Sequence, residues 1–538
     1  MRKQHSMISA ARTAGKTGTA ACRGRRTRAL VLASAVLLGL SGGARAQPFN
    51  TAASLVFFDA AGNETLDPAE PQSGSSFSQE VFLALFDTIV RLDDAGNTTP
   101  GLAESWTVSP DLKSFTFTLR ANVKLHDGTM LTAALVKQNL ERNIGLGRRV
   151  SGTMLESIKL IESIDELGPL QIRINQKSPS GQLPYFLGGI AGMTAAPASW
   201  ARDAFGASYT PIGSGPFRLK SFQSNVKTVL VRNEEYWGGT ADRPAVFEHH
   251  YVPDGRARLN AVRSGQATVA MIDPRQMPEA KGAGLATQIN EKNGFWGFYF
   301  NLSRDSLKNL KVRQAMMHAI DRAAMAEALS FGSGKPSVQM FASSSPVTDA
   351  ALETIYPHDP AKARALLAEA GYKDGLDLTQ MLLNTSEYRA YAEALQAMFA
   401  EANIRVKFDV VDASQFSQFV RPPYRGDILL ARWGGRADPL QTFQELVASQ
   451  GTYSPFDAAT PEIDAMLAKA RGLLPDDPER LTFLRRAGRL SVEHVAIMPF
   501  MTRSNVYAYK PGCIQGLTPF LSMGDDRFND VKVAAGCK

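Results

Sequence analysis

Histidine and cysteine are scarce in this chain, at seven and three among 538 residues. No closely spaced set of them has the pattern of a zinc-stapled fold. His249 and His250 are neighbours, and in a strand they point to opposite faces, so the two cannot chelate one ion together. His126 and His318 likewise read as packing residues. No G-x-S-x-G, H-E-x-x-H or phosphate-binding loop is present, which leaves a hydrolase without a recognisable nucleophile or metal. Beyond residues 29–40 no apolar run approaches membrane length. No repeat of fixed period occurs.

Positive charge is also missing where it first seems abundant. The formal net charge is +7, but residues 1–46 hold nine Lys or Arg and no acid. The remainder has 50 basic against 52 acidic residues, a net −2. The body therefore lacks the field that neutralises phosphates, and a nucleic-acid partner is not expected.

The N-terminal segment has its own logic. Arg23, Arg25, Arg26 and Arg28 precede the twelve-residue apolar run 29–40, and Ala44-Arg45-Ala46 supplies small residues at the positions a signal peptidase reads. A cleavable signal peptide over 1–46 is expected, and with it export to the periplasm; the alternative is a short anchor. Arg28 weakens a twin-arginine reading, and no Cys follows the run to carry lipid. Cys22 leaves with this segment. Cys513 and Cys537 remain, and in an oxidising compartment they are expected to staple the C-terminal tail, the alternative being two free thiols.

A chain of this length is too long for one hydrophobic core. Strand and helix patterns alternate along it, which implies mixed α/β sheets. Residues 55–59, 115–119, 217–222, 226–232, 247–252, 267–272, 404–410 and 427–433 read as strands. Residues 78–91, 133–142, 256–264, 386–402 and 478–493 read as helices. Thr132 is placed to cap the helix from 133. Asp359-Pro360 and Gly371 bound another helix with an N-cap, a proline at N1 and a C-terminal glycine. The aromatic run 295–302 reads as a buried strand. Val312, Ala315, Met316, Ala319 and Ile320 form one helical stripe after it. This stretch is expected to carry the chain from one lobe into another, and the extended apolar run 498–509 to bring it back.

Four ordered blocks carry a resemblance: PGLAESW with FTFTLR, HDGT and LTA over 100–142; GSGPF to YWGG over 213–239; VRQA and AIDR over 299–322; and D-x-x-K-A with LLAEAG over 359–371. Together the chain resembles the family 5 solute-binding proteins of ABC importers, the group with dipeptide-, oligopeptide- and nickel-binding members. The resemblance implies a two-lobed α/β periplasmic binding protein of type II with an extra subdomain. The expected division is signal 1–46, lobe I over 47–300 with the subdomain at about 80–210, lobe II over 301–500, and a return to lobe I over 501–538. It implies no enzyme activity, no cofactor, a monomer, and a membrane permease as partner, with a sensory role at a chemoreceptor or a hydrolase as the other readings.

In peptide-binding relatives the Gly-rich loop after a tryptophan supplies an acid that pairs with the peptide ammonium. The similar loop here is Trp433-Gly434-Gly435-Arg436-Ala437-Asp438-Pro439. Arg436 best fills the corresponding place and suits an anion through its planar fork. Asp438 either meets a cation or caps the next helix. Trp433 is either a flat ligand wall or core. Tyr299 and Asn301 either line the cleft or pack. A peptide or amino-acid-derived solute, zwitterionic or acidic, is the expected ligand.

Overall fold

The computed structural model describes residues 49–537 except 71–78, 95, 151, 201–208, 413–414, 416, 421–423, 450, 452, 454–459 and 520–525. The expected signal peptide and Cys22 lie outside the described residues.

Ten strands form one mixed sheet. In chain order they are β1 (Ser54–Asp59), β2 (Phe217–Gln223), β3 (Lys227–Arg232), β4 (Val246–Tyr251), β5 (Val269–Met271), β6 (Ala286–Phe300), β7 (Leu376–Leu383), β8 (Ile404–Val411), β9 (Ile428–Arg432) and β10 (Met498–Tyr509). Their spatial order is β8-β7-β9-β6-β10-β5-β1-β4-β3-β2. Two long antiparallel strands, β6 and β10, therefore sit between two half-sheets. At one end β10 pairs with β5, Tyr509 opposite Val269. At the other end β6 pairs with β9, Trp296 opposite Arg432. The β6–β10 register slips between Glu291 and Phe295, where their partners are Ser504 and Thr502. Such a bulge bends the ribbon and raises its local twist. Gly294 lies in it, and a Cβ there would stand 2.1 Å from the Trp433 carbonyl.

Each half-sheet has its own core. Phe57, Phe82, Phe86, Phe217 and Phe247 pack with Tyr507 and Phe528 in the first. In the second, β6 alternates between two cores, as a period of two requires. Trp296, Phe298 and Phe300 face Val312, Ala315 and Met316 of the helix Leu310–Ala319. Phe295 and Tyr299 face Trp433, Leu440 and Phe443. A four-stranded antiparallel sheet (Ala103–Val108, Ser114–Leu119, Gln171–Gln176, Ile161–Gly168) forms a separate layer over Val136 and Leu140. Thr132 caps the helix Ala133–Leu146 by accepting from Leu135 N, and Asp359 caps Pro360–Glu369 by accepting from Lys362 N.

The helix expected over 78–91 stops early. It spans Gln79–Leu85, and Val90–Leu92 is already a strand. The β-branched run Thr88-Ile89-Val90 favours extended chain. Asp87 also anchors the turn, its carboxylate accepting from Arg91, Ser214, Tyr236 and Trp237.

Cys513 and Cys537 are joined by a disulfide across 24 residues. Their neighbours Ile514, Val533 and Ala534 are buried, so the tail lies against the first half of the molecule.

His126 is held neutral. Burial pushes its pKa down to about 4, against the opposing Gly215 carbonyl, which accepts from Nε2 at 3.0 Å. Arg218 disfavours the charge, while Asp87 and Asp127 favour it weakly. The unfolded chain takes up this proton near pH 6.5, the folded chain only near 4. Stability should thus be unaffected by this group above pH 6.5 and fall as pH drops from 6.5 toward 4, by a few kcal/mol at most. Denaturant titrations across that window should show a shallower fall in His126→Gln than in the unaltered protein.

Candidate interlobe site

The β6–β10 ribbon runs between the two half-sheets. A cavity at this place takes its walls from both sides. Ala60, Arg258 and Asp273 come from the half that holds β1. Trp296, Glu387 and Arg432 come from the other, with Thr502–Val506 of β10 between them. The local sequence puts each there. Ala60 follows the last residue of β1. Glu387 stands in the first turn of the helix Ser386–Glu401, which Thr385 caps by accepting from Tyr388 N. Arg432 ends β9 and points opposite to Trp433, so it faces the cavity while Trp433 faces the core.

Arg258 is fully buried and spends its guanidinium on carbonyls. It donates to Met271, Val252 and Pro253 at 2.6, 2.8 and 2.9 Å, and stands 3.5 Å from Asp273. It is a structural tie. The exposed charges of the cavity are Asp273, Glu387 and Arg432, whose side chains are 38, 50 and 26 % accessible. Arg432 and Glu387 are 3.6 Å apart, an ion pair loose enough to open to a solute. The cleft thus offers both signs of charge beside the flat ring of Trp296, which stacks on Tyr391.

The loop 433–439 lies differently from what its sequence suggests. Arg436 is buried and its fork is filled. Nε and Nη2 donate to the Glu445 carboxylate at 2.9 and 2.5 Å. The guanidinium lies 4.3 Å over the Trp433 ring. Burial works against its charge, but Glu445 outweighs that and its pKa is raised. Arg436 therefore presents no open fork to an anion, because its carboxylate partner comes from the chain's own helix Pro439–Leu446. Asp438 caps that helix, accepting from Leu440 N at 3.1 Å, and also accepts from Arg480 at 2.8 and 2.9 Å. Its valences are used, so an added cation has no place. Trp433 is 5 % exposed and packs edge-on to Tyr453. Tyr299 is buried beside Arg436 and Glu445, and burial raises its pKa well above 10, keeping the phenol neutral. Asn301 is fully buried: it donates to Gly426 O and accepts from Ser303, so it shapes a turn. Glu387, Arg432 and Asp273, which line the cavity, are not among the residues the sequence singled out. Periodicity places Arg432 on the face opposite Trp433, and that is the signal that finds it.

The loop does join the halves. Gln182, from the layer that holds the four-stranded sheet, donates to Asp438 at 2.9 Å. Next to it Gly181 N donates to the Arg471 carbonyl at 3.1 Å. A Cβ on Gly181 would meet the Leu473 carbonyl at 2.2 Å, so this close approach needs glycine.

The model of the bacterial extracellular solute-binding proteins, family 5, matches residues 97–454. The chain belongs to this family. Among its relatives is the glutathione-binding protein GsiB of Salmonella paratyphi A, 26% identical over 381 residues, or 70% of this chain and 73% of that protein. A putative ABC transporter peptide-binding protein of Brucella ovis is 32% identical over 356 residues, or 62% of this chain and 64% of that one. Among solved structures, NikA from Brucella suis in complex with Fe(III)-EDTA superposes with a TM-score of 0.79 at 23% identity, covering 89% of this chain and all of that one. AgaA in complex with agropinic acid, from A. tumefaciens R10, gives 0.75 at 25% identity, covering 89% and 99%. The chain is thus a two-lobed α/β binding protein and the solute-binding component of an ABC importer. Among the described residues no helix is long and apolar enough to cross a membrane.

Removing one member of the Arg436–Glu445 pair should be costly. Arg436→Met leaves the buried Glu445 carboxylate without its cation, with the Gln441 amide still donating to it, and should destabilise by about 3–5 kcal/mol. Adding Glu445→Leu should recover most of that loss. A double-mutant cycle by chemical denaturation measures it.

Proposed function

We propose that this protein captures a small zwitterionic, amino-acid-derived solute between its lobes, in the periplasm, and hands it to a membrane permease. The observation that carries this is the cavity over the ribbon, where Asp273 and Glu387 from opposite lobes offer anions and Arg432 a cation. A solute with an ammonium and a carboxylate touches both lobes, so it binds the closed form better than the open one and shifts the population toward it. Glutathione, for which the relative GsiB is named, carries both groups. The filled fork of Arg436 makes a simple anion the poorer candidate.

On this reading the lobes exchange chain at β6 and β10, and the working protein is a monomer that binds no nucleic acid. A signal peptide is removed after Ala46, and the mature chain carries the net charge of −2. The protein binds and does not transform its solute.

Native mass spectrometry of protein purified from its own host should reveal a bound small molecule, and a thermal-shift screen of opines, γ-glutamyl compounds and dipeptides should find one that raises Tm. Glu387→Gln and Arg432→Gln should each weaken that solute at least tenfold by calorimetry while leaving the solute-free Tm within a few degrees. Unchanged affinity in both variants would remove the cavity from the binding site.

A further inference from the structure

A second cluster of charged groups lies inside the half that holds β1. Asp59 is the last residue of β1, and His249 belongs to the neighbouring parallel strand β4, where it pairs with Phe57. Glu80 stands in the first turn of the helix Gln79–Leu85. The three side chains come from separate elements and converge. His249 Nε2 is 3.2 Å from Asp59 Oδ2 and 3.1 Å from Glu80 Oε1. The three ligand atoms lie within 4.8 Å of one another, and each residue is 2 % exposed.

The hydrogen-bond inventory of this cluster does not close. Asp59 Oδ1 accepts from Ala60 N, and Asp59 Oδ2 is the partner of Nε2. Nε2 carries at most one proton, so it cannot serve both carboxylates along straight bonds. Both oxygens of Glu80 are buried, and apart from His249 Nε2, 3.1 Å from Oε1 and shared with Asp59, no side chain donates to them. A buried polar group left this way is rare and calls for a ligand or a proton.

We propose that Asp59, Glu80 and His249 form a binding site for a divalent transition-metal ion of the zinc class. The neutral imidazole gives its Nε2 lone pair, and each carboxylate gives one oxygen. Two carboxylates balance the ion, so the buried cluster becomes neutral. Metal–ligand bonds of about 2.0–2.2 Å set at roughly 90–110° hold neighbouring donor atoms about 3.0–3.4 Å apart, and both measured Nε2–oxygen separations fall in that span. Imidazole with carboxylate suits zinc, cobalt or manganese and lacks the thiolate that selects a soft ion. The site ties β1, β4 and the helix Gln79–Leu85 together directly under Ala60, at the edge of the solute cavity. It needs only His249, so the opposite orientation of His250, which faces Glu248 at 2.9 Å, is no obstacle.

The test uses untagged full-length protein, stripped with chelator and titrated with Zn2+ at pH 7.5 by calorimetry, with Co2+ absorption and elemental analysis alongside. About one equivalent should bind, protons should be released, and Tm should rise. Glu80→Gln, which keeps shape and volume, and His249→Gln should each weaken Zn2+ at least a hundredfold, while His250→Gln should not. Circular dichroism checks that the variants fold. Should either fail, the Co2+ spectrum of the unaltered protein still decides, since tetrahedral coordination gives intense visible bands. No saturable equivalent in the unaltered protein, or binding that survives both folded variants, would overturn the site and leave the trio a proton-bound ion cluster.

Discussion

The antiparallel pairing of β6 with β10 is the constraint on which the rest of the protein depends. These two strands are the backbone ladder that makes one sheet of two halves. They pair from Ala286 with Tyr509 at one end to Phe298 with Met498 at the other. β10 also pairs with β5, and β6 with β9. The ladder slips register between Glu291 and Phe295 and again between Trp296 and Gly297, and such slips bend and twist it. The slip at Glu291–Phe295 is the longer of the two. It also explains Gly294, since a side chain there would collide with the Trp433 carbonyl. A hinge in a two-lobed protein needs few residues to absorb the change, and here the ladder itself limits where they can be.

The cavity is lined by charges that sequence reasoning, whose candidates were Trp433, Arg436, Asp438, Tyr299 and Asn301, did not single out. The loop 433–439 is a structural knot in which Arg436 pairs with Glu445 and Asp438 pairs with Arg480. Both are buried pairs, weak as sources of net stability but expensive to break singly. They fix the loop firmly enough for Gln182 to find Asp438 from the other side of the cleft. On the reading proposed above, solute contact falls to Glu387, Arg432 and Asp273, which keep part of their surface in water.

Much of the fold was legible because each signal was local. The run 498–509 has its one proline, Pro499, at the second residue and apolar residues at both ends, and it is one strand over its whole length. Asp359, Pro360 and Gly371 mark a helix through capping chemistry that acts within a few residues; Gly371 has φ of 95°. The helix expected over 78–91 failed because Asp87 is claimed by Ser214, Tyr236 and Trp237, more than a hundred residues away. The site was less legible for the same reason. A free arginine and an arginine already matched to Glu445 read alike in sequence, and the burial that separates them is a tertiary fact. Asp59, Glu80 and His249 are likewise unremarkable in sequence, and the parallel pairing of β1 with β4 and the packing of the helix Gln79–Leu85 bring them together.

On the proposed reading the β6–β10 ribbon is a hinge whose closed state a solute selects. Spin labels at Asn260 and Glu393, one on each lobe and both exposed, measure it directly by pulsed electron resonance. The account predicts two interlobe distances in solute-free protein, collapsing to the shorter one when a solute that raises Tm is added. A single distance unchanged by such a solute would contradict it.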